Sequence, residues 1–253
     1  MKKLSFILIT SLSTFLIAGN NFSTPDTNEN EIAVPVAPSL DDFFNYANTF
    51  LGKYISDGKV DYTAINSETT TLNQLVENIA SADLSASDKN TSTAFYLNAY
   101  NILVIKSVVD NMPISSPLDV KGFFDTKKYK VAGSYMTLND IENNKLRPDA
   151  RVHFSLVCAA KGCPKISSEA FMPKKVQDQL NTQTKKAMNN TSFIKVDDSA
   201  KTVKISHIFE WYKEDFTKDS GTVIDFINKY RDTKIPSSYT QDYYEYNWSL
   251  NSK

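Results

Sequence analysis

The run AFYLNAYNILVI, residues 94–105, constrains this chain more than any other stretch. It is apolar on every side of a helix, so that helix has to be central and enclosed by the rest of the protein. The spacing predicts one long helix from Ser87, its expected cap, to Asn111, with Pro113 ending it. Two amides, Asn98 and Asn101, interrupt the apolar run three positions apart, hence on one face. An enclosed amide without partners costs about 1–3 kcal/mol, so both are expected to be hydrogen-bonded. Either they anchor irregular loops such as 113–125 or 158–165, or they orient a ligand in a cleft.

The other elements must wrap this helix. Ser39 with Asp42 forms a capping box for an amphipathic helix carrying Phe43, Phe44, Ala47, Phe50, Leu51 and Tyr54. Asp57-Gly58 turns the chain, and a second helix is expected to open at Ser67. KKYKVAGSYMT (127–137) and FIKVDDSAKTVKIS (193–206) alternate about turn residues and read as hairpins. Thr137 caps a short helix with Asp140 in the capping-box position, and RVHFSLV (151–157) reads as a buried strand. Helices are expected over 173–190, from Ser206 through HIFEWYKEDF, and over 221–230, with an aromatic tail (241–251) returning to the sheet. No βαβ rhythm appears. The expectation is therefore an α+β fold: a helix-rich single domain over 39–253, with short antiparallel strands and hairpins around a central buried helix.

Ahead of that domain, Met1-Lys2-Lys3 and an apolar stretch of about 15 residues, shorter than the ~20 a membrane span needs, read as a signal peptide over 1–19. Polar, proline-punctuated residues 20–38 read as a disordered linker. Export to a periplasmic or extracellular space follows, with membrane contact only through an uncleaved leader. A net charge of −1 gives no global electrostatic reason to expect nucleic acid, and no other partner is legible.

Chemistry concentrates in RVHFSLVCAAKGCPK, residues 151–165, which holds both cysteines and one of the two histidines. In an oxidising compartment Cys158 and Cys163 are free to pair. The alternative is a reactive Cys158 thiol at the end of a strand, its thiolate favoured by Lys161, with His153 as base. On a regular strand, residues 153 and 158 face opposite sides, so that dyad needs a bulge, or His207 in place of His153. Glu142, on the short helix before Pro148, is a candidate general acid or base. Two Cys and two His are zinc-type ligands, but their spacing matches no familiar zinc pattern. No phosphate loop, HExxH pair, nucleophile elbow or EF-hand pattern is present, so no cofactor or metal is expected.

Several blocks together, GKVDYTAI (58–65), FYLNAYNILVI (95–105), MTLNDIENNKLR (136–147), ARVHFSLVCAAKGCPKI (150–166), ISHIFEWYKEDF (205–216) and YEYNWSLN (244–251), resemble the domain of unknown function 547 family. One departure is Asn247, where the family's closing motif has Asp before Trp-Ser-Leu-Asn. The resemblance implies no reaction. It does single out Asn98, Tyr100, Asn101, Glu142, His153, Cys158, Cys163, Trp211 and Asp215. The expected site is a cleft where the central helix meets the 151–165 segment, with Cys158, His153 and Glu142 as catalytic candidates and Asn98, Tyr100, Asn101, Lys161 and Cys163 around them. A thiol-dependent hydrolase or transferase and a non-catalytic cell-envelope binding module with a structural disulfide are the two readings.

Overall fold

The structure, a computed structural model, describes residues 39–253; the leader and linker expected over 1–38 lie outside the described residues. The fold is α+β, with helices predominating. It begins with α1 (Leu40–Tyr54), opened by the expected Ser39–Asp42 capping box. A two-residue hairpin follows, β1 (Ile55–Ser56) and β2 (Lys59–Val60). Next come α2 (Tyr62–Ser67) and α3 (Thr70–Ser81). Ser67 thus ends a helix instead of opening one, because the Asp61 carboxylate accepts the Ala64 N–H and starts α2 early.

The central helix is α4 (Lys89–Asp110). Every residue from Ala94 to Ile105 except Tyr96 is buried, as its all-round apolarity requires. Its cap is Asp88, not Ser87: the Asp88 carboxylate accepts the Thr91 N–H at 2.7 Å. Hairpin β3 (Tyr129–Val131) and β4 (Ser134–Met136) leads into α5 (Leu138–Ile141), capped by Thr137 and Asp140 as expected.

After α6 (Val176–Asn189) the hairpin β5 (Ile194–Asp197) and β6 (Thr202–Ser206) forms, antiparallel. The segment after Ser206 is two short helices, α7 (Ile208–Trp211) and α8 (Lys213–Thr217), with Tyr212 at the break. α9 (Val223–Tyr230) precedes β7 (Thr240–Tyr244), the returning tail. β7 lies parallel to β6, so the sheet is mixed where an antiparallel one was expected.

Two apolar cores result. One surrounds α4, with Phe43 and Phe95 in contact at 5.2 Å. The other gathers Phe154, Phe193, Phe209, Phe216 and Phe226. Residues 150–163 run between them: Val152, Val157 and Ala159 belong to the first, Phe154 and Ala160 to the second.

That segment is not the expected strand. Ala150–Phe154 is a 3₁₀ turn, opened by the Asp149 carboxylate accepting the Arg151 N–H. The apolar run reported burial correctly but not the backbone partners, and here no neighbouring strand supplies them. Asn101 does so instead: its amide donates to the Ser155 carbonyl at 2.9 Å and accepts the Val157 N–H at 3.0 Å. Asn98 does the same for Phe171, at 2.8 and 2.9 Å. Both amides are therefore loop anchors, with their capacity taken by backbone. Neither brace falls in the two loops expected: Asn98 holds the loop before α6, and Asn101 holds residues 155–157, ahead of the 158–165 loop.

Candidate active site in a cleft between the two cores

Glu142 follows directly on α5, where the helix widens into a single π turn, Glu142–Leu146, closed by the Arg147 N–H to the Glu142 carbonyl at 3.0 Å. Such turns displace side chains from a regular helix face and recur at functional positions. Here the turn presents Glu142 and Arg147 to the same cluster. The Arg147 guanidinium grips Asp215, on α8, with Nε donating to Oδ2 at 2.6 Å and Nη2 to Oδ1 at 2.9 Å. Its remaining arm donates to Asn143 at 2.7 Å.

His153 sits against the same carboxylate, its Nε2 2.7 Å from Asp215 Oδ2. Nδ1 faces Glu142 Oε1 at 3.5 Å, a contact longer than a normal hydrogen bond. The His153 side chain is 2% exposed, and those of Glu142 and Asp215 are 7% exposed. The imidazole stacks on the Tyr212 ring at 3.9 Å and meets the edge of Phe216 at 5.4 Å. The break between α7 and α8 is what turns Tyr212 onto it.

Electrostatics order this chain of groups. Burial pushes the Asp215 carboxyl up, but the hydrogen bonds from Arg147 and His153 outweigh it, and the net shift is downward. Asp215 is therefore a carboxylate, an acceptor only, and His153 Nε2 carries a hydrogen. The other ring nitrogen, Nδ1, looks at Glu142. The Tyr212 phenol is raised by burial first and by the neighbouring Glu142 second. Tyr100, on α4, is raised well above its ordinary value by burial, then by Glu142, Tyr212 and Tyr246. Both phenols stay protonated and act as donors.

Tyr100, Glu142, His153 and Tyr212 line a cleft of about 510 Å³, with Arg147 and Asp215 behind them. Phe123, Phe124 and Leu118 form one apolar wall, and Trp211, Tyr246 and Trp248 form the other. Cys158 and Cys163 lie in the same cleft, joined as a disulfide. The Tyr246 hydroxyl is 3.1 Å from each sulfur, and the Cys158 N–H donates to Cys163 Sγ at 3.0 Å.

The tail laces this loop in place. Lys161 and Gly162 donate from their backbones to the Ser249 and Asn247 carbonyls, both at 2.8 Å. A Cβ on Gly162 would lie 2.9 Å from the Tyr246 ring and 3.0 Å from the Asn247 nitrogen, so the close approach requires glycine. Asn247, where the resembled motif has Asp, accepts the Ser249 N–H at 3.0 Å, a contact for which an acidic group is not needed.

The structure brings together His153, Glu142, Tyr100, Cys158, Cys163, Trp211 and Asp215. It corrects the thiol dyad: each sulfur is bonded to the other, and the His153 nitrogens face two carboxylates. Strand parity no longer separates residues 153 and 158, because the segment is a 3₁₀ turn and then irregular. His207 is not the alternative base. Its Nδ1 is 2.7 Å from Glu210, and its ring lies between Trp211 and Tyr243. Lys161 lines a separate groove, which Cys163 also borders, and not the cleft. Residue reading alone missed Arg147, Tyr212 and Tyr246, although all three stand in or beside the blocks that carry the resemblance. Among the described residues, no group of three or more His, Cys, Asp or Glu side chains is arranged to hold a metal ion.

Comparison with known families bears on the same region. Residues 84–186 match the model of the family described as Protein of unknown function, DUF547. The matched segment runs from just before α4 to the last turn of α6 and contains Glu142, Arg147, His153 and both cysteines. Tyr212, Asp215 and Tyr246 lie beyond it, as do the resembling blocks at 58–65, 205–216 and 244–251. No curated protein and no solved structure matches the chain.

Proposed function

We propose that the cleft is the active site of an exported hydrolase or group transferase that works by proton transfer through Glu142. The observation that carries this reading is the chain Arg147–Asp215–His153–Glu142, whose last carboxylate lines the cleft. A buried charged network of this kind stabilises a fold poorly compared with apolar packing, and such networks concentrate where chemistry is done.

In this mechanism Glu142 takes the proton of a water or hydroxyl nucleophile. His153, fixed by Asp215, steadies the charge on Glu142 and relays the proton at Nδ1. The Tyr100 and Tyr212 phenols donate hydrogen bonds to charge developing on the substrate. The apolar walls hold a substrate with an aromatic or aliphatic body. Export is supported by the leader sequence over 1–19 and by the pairing of the two cysteines; N-terminal sequencing of the mature protein tests it.

The decisive assay is turnover of a panel of p-nitrophenyl esters, thioesters and peptidyl anilides by wild type and Glu142→Gln. The substitution is expected to lower kcat/KM by about 10²–10⁴ without lowering thermal stability. Equal rates in the two proteins refute the proposal. A second reading, a non-catalytic binding module, is favoured by the rim: Trp211 is 48% exposed and lies 4.9 Å from Tyr246 and 5.9 Å from Trp248. Under it, wild type turns over no substrate and Trp211→Ala weakens ligand binding.

A further inference from the structure

The disulfide is built unlike a bridge that serves only to staple a loop. It closes a loop of four intervening residues, in a segment already held by the tail through three backbone hydrogen bonds. Its sulfurs are half-buried and line the cleft. The Tyr246 hydroxyl lies 3.1 Å from both sulfurs, and the donor that distinguishes them is the Cys158 N–H, 3.0 Å from Cys163 Sγ. Donors aimed at a sulfur stabilise it as a thiolate and make it a better leaving group. Cys158 has no backbone donor of this kind among the described residues.

We infer that the cleft carries a second activity, thiol–disulfide exchange, with Cys158 as the sulfur attacked and Cys163 as the leaving thiolate. The substrate class is a cysteinyl thiol flanked by apolar side chains, which lie along Phe123, Phe124 and Trp248. In the first step the incoming thiolate forms a bond to Cys158 Sγ. The electron pair of the Cys158–Cys163 bond departs on Cys163 Sγ, held there by the Cys158 N–H and Tyr246. A second substrate thiolate then attacks the sulfur of the first, and the electron pair of the mixed disulfide departs on Cys158 Sγ. Two thiols leave as one disulfide, and the protein is left as a dithiol after taking up two protons and two electrons. The protein's own disulfide is the oxidant for this single turnover. The activity uses none of the proton-transfer groups and stands whether or not the reading of Glu142 holds.

The test incubates the full oxidised chain, without denaturant, with a short peptide carrying one cysteine between two phenylalanines. Samples are acid-quenched and mapped by mass spectrometry. The expected result is a mixed disulfide on Cys158 in wild type and no adduct in Cys163→Ser, which has no bridge for the reduced peptide to open. Tyr246→Phe, which retains the ring, is expected to slow opening of the bridge by about tenfold through loss of the donor to the leaving sulfur. A bridge that opens only in urea, or an adduct on Cys163, overturns the inference. An unchanged rate in Tyr246→Phe overturns the phenol's role as donor to the departing sulfur, while the cysteine that carries the wild-type adduct decides the leaving group whether or not Cys163→Ser folds. Failure here with intact ester or anilide turnover sinks exchange alone; the reverse result sinks the hydrolase reading alone.

Discussion

Replacing Asp215 with Asn tests the centre of the charged chain. Asp215 accepts two hydrogen bonds from Arg147, at 2.6 and 2.9 Å, and lies 2.7 Å from His153 Nε2. Asn keeps the shape but loses the charge, and it sets an N–H₂ group against donors. Removing one partner of a buried pair costs about 3–5 kcal/mol. The Arg147 side chain is 28% exposed and water takes up part of its loss, so the low end, about 3 kcal/mol, is expected. Against a typical domain stability of about 5–15 kcal/mol that is easily measured by urea unfolding.

The pH dependence adds an independent check. Asp215 holds its proton more weakly folded than unfolded, so its stabilisation is present above the unfolded carboxyl value of about 3.9 and is lost as pH falls through the lower folded value. The stability difference between wild type and Asp215→Asn is therefore expected to be level from neutrality down to about pH 5 and to shrink in more acid solution. A cost under about 1 kcal/mol, or a difference that grows toward acid pH, refutes the assignment of Asp215 as the charged anchor of His153.

Three further outcomes are expected. Asn101→Ala leaves the Ser155 carbonyl and the Val157 N–H buried without their partner and costs about 2–4 kcal/mol in urea unfolding, with faster amide exchange at Val157. Gly162→Ala forces a methyl against Tyr246 and costs about 1–3 kcal/mol by thermal unfolding, moving the phenol from the disulfide as seen in tyrosine fluorescence. Reduction of the Cys158–Cys163 bridge closes off only a short loop's entropy, about 2 kcal/mol, so the reduced protein is expected to remain folded by circular dichroism with a modestly lower Tm.

Local chemistry was legible wherever a side chain acts on its own backbone or on one face of its own element. The Ser39–Asp42 and Thr137–Asp140 boxes, the two hairpins and the enclosure of 94–105 follow from patterns a few residues long. The strand at 151–157 failed because seven apolar residues specify burial, whereas a strand also needs a neighbouring edge. Between two cores the backbone met the Asn101 amide instead. The parallel pairing of β7 was not legible for a similar reason: the aromatic tail over 241–251 reads as extended, and its direction depends on where α9 delivers it.

The site divides along the same line. From the sequence come its ingredients: a histidine, a glutamate and two cysteines near one apolar segment, with amides on the central helix to brace it. Their relations belong to tertiary structure. Asp215 lies 62 residues from His153, and Tyr246 lies 83 from Cys163, so no periodicity or spacing connects them. Folding alone brings α8 under the imidazole and the tail across the disulfide loop. That placement set a carboxylate–imidazole–carboxylate chain beside the paired cysteines and left the alternative cysteine–histidine dyad unformed. Residue types set which groups are able to move a proton or exchange a bond, and long-range packing decided which of them face each other.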